Sequence, residues 1–252
     1  MSLLEAVSRQ GEIPPLRMNI QGTDGIGKST FGTGAPDPIF IQAEDGLSYL
    51  DVDRFPLCNT WSDLMDQVET LFKDDHKFKT VVLDTTDAAG NLCEQHVCED
   101  NSWKSIQAPG WGKGPAELRL VWAHLLDGLN ALRVDRQMNV ILLSHVEAKI
   151  FSDPSEGDYN RWEMRCDKNV NALIKDWVDF NFFANYELNK ISDKQERKNR
   201  AIAYGKRKLF TSFNASFDAK SRLELPKELE FTWESFADAY TKALSNQQSK
   251  AA

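Results

Sequence analysis

The chain has 252 residues, 41% of them hydrophobic and 27% charged, which is enough for one large α/β domain with a substantial core. Its formal net charge of −8 excludes a polycationic nucleic-acid binder, so any contact with nucleic acid has to come from a local basic patch. No apolar run is long enough to span a membrane, no secretory leader is evident, and the four cysteines form no disulfide framework, so we expect a reduced, cytoplasmic protein without a membrane partner.

Three regions are expected along the chain. Residues 1–15 are predicted to be an N-terminal arm that ends at Pro14 and Pro15, because proline interrupts a helix. Residues 16–226 are predicted to form an α/β core with a mostly parallel central sheet flanked by helices. Residues 227–252 are predicted to supply an amphipathic helix, Trp233 to Leu244, and a polar tail.

The first motif of the core follows a short alternating strand, Leu16 to Ile20, and fits the phosphate-binding pattern G-x-x-x-x-G-K-[ST]. Its glycines let the backbone turn so tightly that successive N–H groups point at phosphate oxygens. Lys28 supplies a positive charge for the β- and γ-phosphates of ATP, and Ser29 offers a hard oxygen ligand of the kind that Mg²⁺ prefers. The residues of this predicted loop are Gly22, Thr23, Asp24, Gly25, Ile26, Gly27, Lys28, Ser29 and Thr30.

Three further apolar segments are predicted to be buried parallel strands, each of which runs into a polar side chain. They are Pro38 to Ala43 before Glu44, Thr80 to Leu83 before Asp84, and Val140 to Ser144 before His145. Helical spacing predicts helices at 61–72, 89–99 and 115–132. Because ligands of open parallel sheets bind outside the carboxyl ends of the strands, these polar residues are expected to meet the P-loop at one edge. Asp84 is then a second candidate, with Ser29, for holding Mg²⁺ and its water shell.

Two segments combine aromatic and basic side chains, as single-strand nucleic-acid binders do. One is a polar loop at 101–114; the other is a long irregular stretch at 147–171, before an expected core strand from Trp177 to Tyr186. A basic run from Lys190 to Lys208 follows, with a hairpin predicted around Ala201 to Ser212. The candidate nucleic-acid contacts are Trp103, Lys104, Trp111, Lys113, Arg161, Lys206 and Arg207. The alternative is that the tryptophans pack in the core or in a subunit contact.

At these residues the chain resembles the RecA-like branch of P-loop ATPases, and more narrowly the phage-encoded RecA-core proteins of single-strand annealing and recombination, an AAA domain family. The similarity covers residues 16–226. It is carried by four blocks: the P-loop GTDGIGKST, the segment Phe40 to Leu47, Val81 to Asp84, and Ile141 to His145. The resemblance implies a RecA-like core with a C-terminal β-hairpin. The sequence does not show the large N-terminal oligomerisation domain or the C-terminal DNA-gathering domain of RecA. We therefore expect annealing and not full strand exchange.

The resemblance also implies a mechanism and partners. Glu44 would act as the general base on the attacking water in Mg²⁺-dependent ATP hydrolysis, with Lys28 on the phosphates and His145 as the γ-phosphate sensor. Lys220 and Arg222 would complete the ATP site of a neighbouring subunit, which implies a head-to-tail homo-oligomer, either a ring or a filament. Single-stranded DNA and a single-strand-binding protein are the expected partners.

Three other functions remain open from the sequence. The segment from Asp24 to Thr30 also resembles the P-loop of nucleoside and nucleotide kinases, although no Arg-rich lid is recognisable. The chain could instead be another phage nucleotide-binding protein that acts in replication. A scaffold without enzymatic activity is the third alternative, which the intact Lys28, Ser29, Asp84 and Glu44 argue against.

Overall fold

The computed structural model describes residues 13–154, 157–192 and 199–251, with the side chains of 188–192, 199–204 and 248–251 outside that description. The predicted arm at 1–15 therefore lies almost entirely outside the described residues. The helices are α1 (Lys28–Thr33), α2 (Trp61–Lys73), α3 (Thr86–Asp100), α4 (Lys113–Asp135), α5 (Lys168–Trp177) and α6 (Trp233–Ala251). The strands are β1 (Arg17–Gly22), β2 (Pro38–Gln42), β3 (Thr80–Asp84), β4 (Asn139–Asp153), β5 (Gly157–Met164), β6 (Phe180–Ser192), β7 (Asn199–Phe210), β8 (Lys220–Ser221) and β9 (Glu228–Glu230).

One central sheet organises these elements, in the order β2-β3-β4-β1-β6-β7-β9. The pairs from β2 to β6 are parallel, whereas β7 is antiparallel to β6 and β9 is antiparallel to β7. In register, Gly22 at the end of β1 lies beside His145 of β4 and Ala184 of β6. The P-loop therefore emerges at the carboxyl edge of the sheet, between two strands that hold it on both sides.

Helices cover both faces of this sheet because alternate residues of each strand point to opposite sides. In β3, Val81 and Leu83 pack into the cluster formed with α2, α3, α4 and α5, whereas Val82 packs on the side of α1 and α6. Buried aromatic rings dominate the second cluster. Phe236 of α6 is fully buried, with ring centroids 5.7 Å from Phe182 and 6.2 Å from Phe180. The predicted α/β P-loop architecture, with a mostly parallel sheet between helices, is confirmed.

Two local predictions for residues 147–186 were wrong. The stretch at 147–171 is not irregular: β4 continues to Asp153 and pairs antiparallel with β5 from Val146 to Met164, and α5 then begins at Lys168. This hairpin has exposed polar residues on much of its surface, so it lacks the apolar run by which a buried strand is recognised. The core strand expected from Trp177 begins only at Phe180, because Trp177 ends α5.

The predicted hairpin around Ala201 to Ser212 is instead one strand of a longer hairpin. Residues Ala201 to Phe210 belong to β7, which pairs with β6 through an irregular register between Tyr186 and Leu188. Much of the basic run from Lys190 to Lys208 has its side chains outside the described residues.

The C-terminal segment, which we predicted as a region separate from the core, packs against that core. β9 hydrogen-bonds to β7, and α6 places Phe236 against Phe31 of α1 and the phenylalanines of β6. Within the part of the chain that the structure describes, no helix combines the length and apolarity needed to cross a membrane.

Candidate functional site

The P-loop connects β1 to α1 and wraps closely against its neighbours. Gly22 has no room for a side chain, since a Cβ there would lie 2.7 Å from the carbonyl oxygen of Ala184. Gly27 adopts φ 103°, a left-handed conformation that glycine reaches without steric cost. A Cβ at Gly27 would also meet the guanidinium of Arg207, 2.3 Å away. The pattern of glycines predicted from the sequence is therefore required by the backbone itself.

Lys28 is buried at the centre of the loop. Its Nζ donates hydrogen bonds to the carbonyl oxygens of Gly22, at 3.1 Å, and Thr23, at 3.0 Å. Burial lowers the pKa of Lys28, and the carboxylates of Asp24 and Asp84 oppose that shift. The P-loop thus wraps around the ammonium group, at the place where the phosphates of a nucleotide would bind.

Ser29, which follows Lys28 in the chain, lies against Asp84. The hydroxyl of Ser29 donates to Asp84 Oδ2 at 2.6 Å, which joins the first turn of α1 to the end of β3. Burial raises the pKa of Asp84, partly countered by this hydrogen bond. A hydroxyl and a carboxylate oxygen so close together match the hard oxygen ligands of Mg²⁺, so these two residues fit the metal role predicted for them.

His145 lies at the centre of a cluster of polar side chains at the carboxyl edge of the sheet. Its Nδ1 lies 3.1 Å from Asp87 Oδ2, and its Nε2 lies 3.2 Å from Asp24 Oδ1 and 3.9 Å from Glu44 Oε1. One ligand atom from each of Glu44, Asp87 and His145 falls within 4.8 Å of the others. The structure therefore brings Glu44, Asp84 and His145 together with the P-loop, as expected from the ends of three parallel strands.

The environment shifts the pKa values of the carboxyl groups in opposite directions. Burial raises the pKa of Glu44, although His145 opposes the shift. Burial alone would raise the pKa of Asp87 as well, but hydrogen bonding and charge from His145 outweigh it and hold this pKa at about 2. A hydrogen bond from Arg165 lowers the pKa of Asp24. Burial thus raises the pKa of Glu44 as it does that of Asp84, whereas Asp87 is firmly ionised.

A buried layer of polar side chains supports this cluster from below. Asn19 of β1 donates to Asn181 of β6 at 2.7 Å and accepts from Ser144 of β4 at 2.7 Å. Ser144 in turn lies 2.7 Å from Thr86 at the start of α3. The chain of hydrogen bonds crosses β6, β1 and β4 directly beneath the site, and satisfied buried networks of this kind hold strands in one register.

The basic residues that were predicted for trans action or nucleic-acid binding fall in different places. Arg207 of β7 reaches the P-loop of its own chain, where its Nη1 donates to the carbonyl oxygen of Ile26 at 3.2 Å. Lys220 and Arg222 lie at the opposite, amino edge of the sheet, where Lys220 donates to the carbonyl of Lys175 and Arg222 pairs with Asp179 at 2.8 Å. Within the described residues, Lys220 and Arg222 are thus both distant from the P-loop of their own chain. Their action on the ATP site of a neighbouring subunit stays a prediction.

The aromatic and basic residues of the 101–114 loop differ in exposure. Trp111 is 99% exposed, with φ 52° between two glycines, and Lys104 and Lys113 are exposed; Lys113 begins α4 instead of lying in the loop. Trp103 is half-buried and packs against the core of α3 and α4. Lys206 is exposed beside Arg207.

Arg161 was wrongly predicted to contact nucleic acid. It is only 8% exposed, pairs with Asp218, and stacks over the ring of Phe151 at 4.9 Å. Since Asp218, from the segment between β7 and β8, already pairs with its guanidinium, Arg161 offers no free cation. An isolated arginine next to aromatic residues in sequence gives no sign of such a partner 57 residues away.

Sequence reasoning missed several residues of the site. Asp87 lies in the first turn of α3, three residues after Asp84 ends β3, and could have been noticed from its place just after that strand. Arg165 pairs with Asp24 at 2.8 Å, and Arg207 contacts the P-loop of its own chain. Both contacts depend on hairpins that bring residues distant in sequence to the P-loop. No sequence pattern encodes those two contacts.

Comparison with known proteins agrees with this geometry. A family model described as AAA domain matches residues 14–223, which include the P-loop, Glu44, Asp84 and His145. The chain is also 26% identical over 101 residues to the SPbeta prophage-derived uncharacterized protein YorG of Bacillus subtilis (strain 168). That alignment covers 38% of this chain and 31% of the relative, so only about a third of the relative's length is matched. Because the family model covers most of the chain and its nucleotide-binding motifs are assembled at one edge of the sheet, the protein belongs to this AAA domain family of P-loop ATPases.

Proposed function

We propose that the protein hydrolyses ATP with Mg²⁺ and uses the reaction to bind and anneal single-stranded DNA in phage recombination. The observation that carries the hydrolysis is the joint position of the Ser29–Asp84 pair, Lys28 and Glu44 at the carboxyl edge of the sheet. The prophage origin of the YorG relative supports the phage setting. The resemblance to phage annealing proteins supports the role with DNA.

The residues of this chain divide the chemistry among them. Backbone N–H groups of the P-loop and Lys28 hold the β- and γ-phosphates and neutralise the charge that develops as the γ-phosphoryl group leaves. Glu44, whose pKa is raised by burial, orients the attacking water and accepts its proton. His145 lies between Glu44 and Asp87, where it would contact the γ-phosphate of bound ATP. Mg²⁺, held by Ser29 and Asp84, would supply Lewis-acid neutralisation of the phosphate oxygens.

The part of the DNA proposal that the structure supports best is the loop before α4. Trp111, which is 99% exposed, offers its ring face to solvent; Lys104 is exposed in the same loop, and Lys113 is exposed at the start of α4. Bases stack on such rings, and lysines attract the phosphates between them. The cost of leaving a large apolar ring in water is offset when a base covers it.

The first experiment measures phosphate release from ATP with Mg²⁺, with and without a single-stranded oligonucleotide. We expect stimulation by the oligonucleotide and a loss of about 100-fold or more in the turnover of Glu44→Gln, with nucleotide binding retained, because only proton transfer is removed. Glu99→Gln, an exposed acid at the end of α3, is the matched control and should be unaffected. Turnover stimulated by a nucleoside monophosphate instead of DNA would favour a kinase and contradict the proposal.

A second measurement tests the DNA contact. Trp111→Ala should weaken binding of a fluorescent single-stranded oligonucleotide by about tenfold, since one stacked base is worth about 1–3 kcal/mol, with unchanged thermal stability and unstimulated turnover. Phe72→Ala replaces an exposed aromatic residue on α2, 41% exposed, and is the control. Equal affinity of Trp111→Ala and wild type would remove this loop from the DNA-binding surface.

A further inference from the structure

A cavity lies beside the P-loop on the side away from Glu44 and His145. It has a volume of about 300 Å³ and opens between α1 and the connection from β9 to α6. Its walls include Gly27, Phe31 and Thr33 on one side and Arg207, Phe231 and Trp233 on the other. A second cavity of about 390 Å³ lies along β7 and has Arg207, Phe231 and Thr232 in common with the first.

The position of the acidic cluster determines which way a bound nucleotide must run. Asp84, Glu44 and His145 come from β3, the end of β2 and β4, which all lie on one side of β1 in the sheet. The γ-phosphate has to face these residues, since they position the water and the metal. The opposite end of the nucleotide therefore leaves the P-loop toward β6 and β7, where the cavity opens.

The walls of the cavity have the chemical character of a nucleoside pocket. Phe31 and Phe231 are only 2% and 4% exposed and stack on each other at 5.2 Å, so they close the apolar floor of the cavity. Trp233 is half-buried, meets Phe31 edge-on at 5.6 Å and is the accessible aromatic residue of the wall. A Cβ at Gly34 would lie 2.7 Å from Trp233 Cβ, so α1 and α6 are held in tight contact at this point. Threonine hydroxyls and the carboxylate of exposed Glu234 provide polar groups at the rim. Pockets for flat cofactors combine an apolar wall with a few polar groups in this way.

Arg207 stands at the boundary between this cavity and the P-loop. Its backbone is held on both sides, by pairing with Tyr186 of β6 and by a hydrogen bond from Phe231 N to its carbonyl oxygen. Gly205, with φ 73°, lies where the register of β6 and β7 shifts, and such irregularities aim a neighbouring side chain. The guanidinium thus reaches over Gly27 to the carbonyl of Ile26. From there it faces the place where the first phosphates of a nucleotide leave the loop.

We propose that this cavity holds the base and ribose of the bound nucleotide and that Arg207 of the same chain contacts its α- or β-phosphate. This assignment rests on the proposed function, because it takes the P-loop to bind the phosphates of ATP. It gives Arg207 a role within its own subunit, in place of the nucleic-acid contact expected from the sequence. The C-terminal segment from Phe231 to Glu234 becomes part of the nucleotide site.

Calorimetric binding of two probes, ADP and inorganic tripolyphosphate, separates the cavity from the phosphate loop. Thr33→Trp places an indole in the cavity, so ADP affinity should fall at least tenfold while tripolyphosphate affinity stays within twofold, since only ADP has a base and ribose to exclude. The matched control is Thr70→Trp. Thr70 also lies on a helix and donates its hydroxyl to a carbonyl, that of Asp66 at 2.8 Å, as Thr33 does to Thr30 at 2.8 Å. It is remote from the cavity and should leave both affinities unchanged.

The role of Arg207 has its own readout. Arg207→Ala should weaken both probes by about tenfold, because a charge-assisted hydrogen bond to phosphate is lost, and Arg207→Lys should restore part of the affinity. Unchanged affinity of Arg207→Ala for both probes would overturn the phosphate contact.

The outcomes distinguish this inference from the proposed function. If ADP binds wild type, is lost in Lys28→Ala, and binds Thr33→Trp normally, the P-loop binds nucleotide and the cavity assignment is wrong. If neither ADP nor tripolyphosphate binds wild type, the proposed function itself fails, and the cavity assignment fails with it.

Discussion

At the scale of single residues, the site concentrates negative charge around two nitrogen bases. Asp24, Glu44, Asp84 and Asp87 all lie near Lys28 or His145, and their pKa values are shifted apart by burial and hydrogen bonding. Carboxylates with separated pKa values take different roles, one as a base and others as fixed charges. In this site Glu44 has the raised pKa of a base, whereas Asp87 keeps its charge and orients the imidazole of His145.

The low pKa of Asp87 leads to a prediction for stability against pH. Because its folded-state pKa of about 2 lies below the ordinary aspartate pKa of 3.8, ionised Asp87 stabilises the fold above pH 4 and loses this effect as the pH falls through about 2. A shift of this size corresponds to about 2 kcal/mol. Asp87→Asn should therefore be less stable than wild type above pH 4 in denaturant unfolding, and the difference should shrink toward pH 2. A difference that is independent of pH over this range would show that the charge of Asp87 contributes nothing to stability.

At the scale of elements, β4 has two halves with different surroundings. Up to Ser144 it is a fully buried parallel strand, and from Val146 it pairs antiparallel with β5 and becomes exposed. His145 lies at the junction. Arg165 follows the returning strand and pairs with Asp24 of the P-loop, so the hairpin is tied back to the site at its base. The contact gives the hairpin a direct connection to the loop that binds phosphate.

Helix α6 provides the prediction at this scale. Phe236 is fully buried among Phe31, Phe180 and Phe182, so Phe236→Ala leaves a cavity and should lower the free energy of unfolding by about 3–5 kcal/mol. Asp238→Ala, an exposed position two residues further along α6, should change it by less than about 0.5 kcal/mol. Urea unfolding of both variants tests the claim. A small effect of Phe236→Ala would mean that α6 is not part of the cooperative core.

At the scale of the whole molecule, Lys220 and Arg222 lie at the edge of the sheet opposite the P-loop. Arg222 shares Asp179 with Arg17 and Arg133, so three guanidinium groups surround one carboxylate. The expected action of Lys220 and Arg222 on a neighbouring ATP site requires the amino edge of one subunit to meet the carboxyl edge of the next. Such a head-to-tail contact is heterologous and builds rings or filaments.

Mixing two inactive variants tests this assembly. Lys28→Ala has a damaged P-loop but keeps Lys220 and Arg222. The double variant Lys220→Ala and Arg222→Ala keeps an intact P-loop but lacks both basic side chains. If the basic pair acts on the neighbouring site, each variant alone should have less than about one tenth of the wild-type turnover, and the mixture should regain activity. Thermal unfolding of the double variant checks that the loss of its contact with Asp179 has not unfolded it. A mixture no more active than the sum of its parts would argue against action in trans.

Local sequence patterns were sufficient for the elements whose residues are continuous in the chain. The P-loop, the buried strands that run into Glu44, Asp84 and His145, and the helices on one face are all specified by spacing, glycine and hydrophobic periodicity. Parallel strands align their carboxyl ends, so even the meeting of these polar residues at one edge followed from the order of the elements.

The sequence by itself determined the nucleotide-binding loop, the class of fold and the acids placed at its edge, because each depends on residues close together in the chain. Tertiary structure alone decided that Arg161 is neutralised by Asp218, that Arg207 reaches its own P-loop, and that Arg165 pairs with Asp24. Those contacts join residues 57 to 181 positions apart. Hairpin register and helix packing determine these contacts, because the sequence around a charged side chain does not indicate which distant residue it will contact.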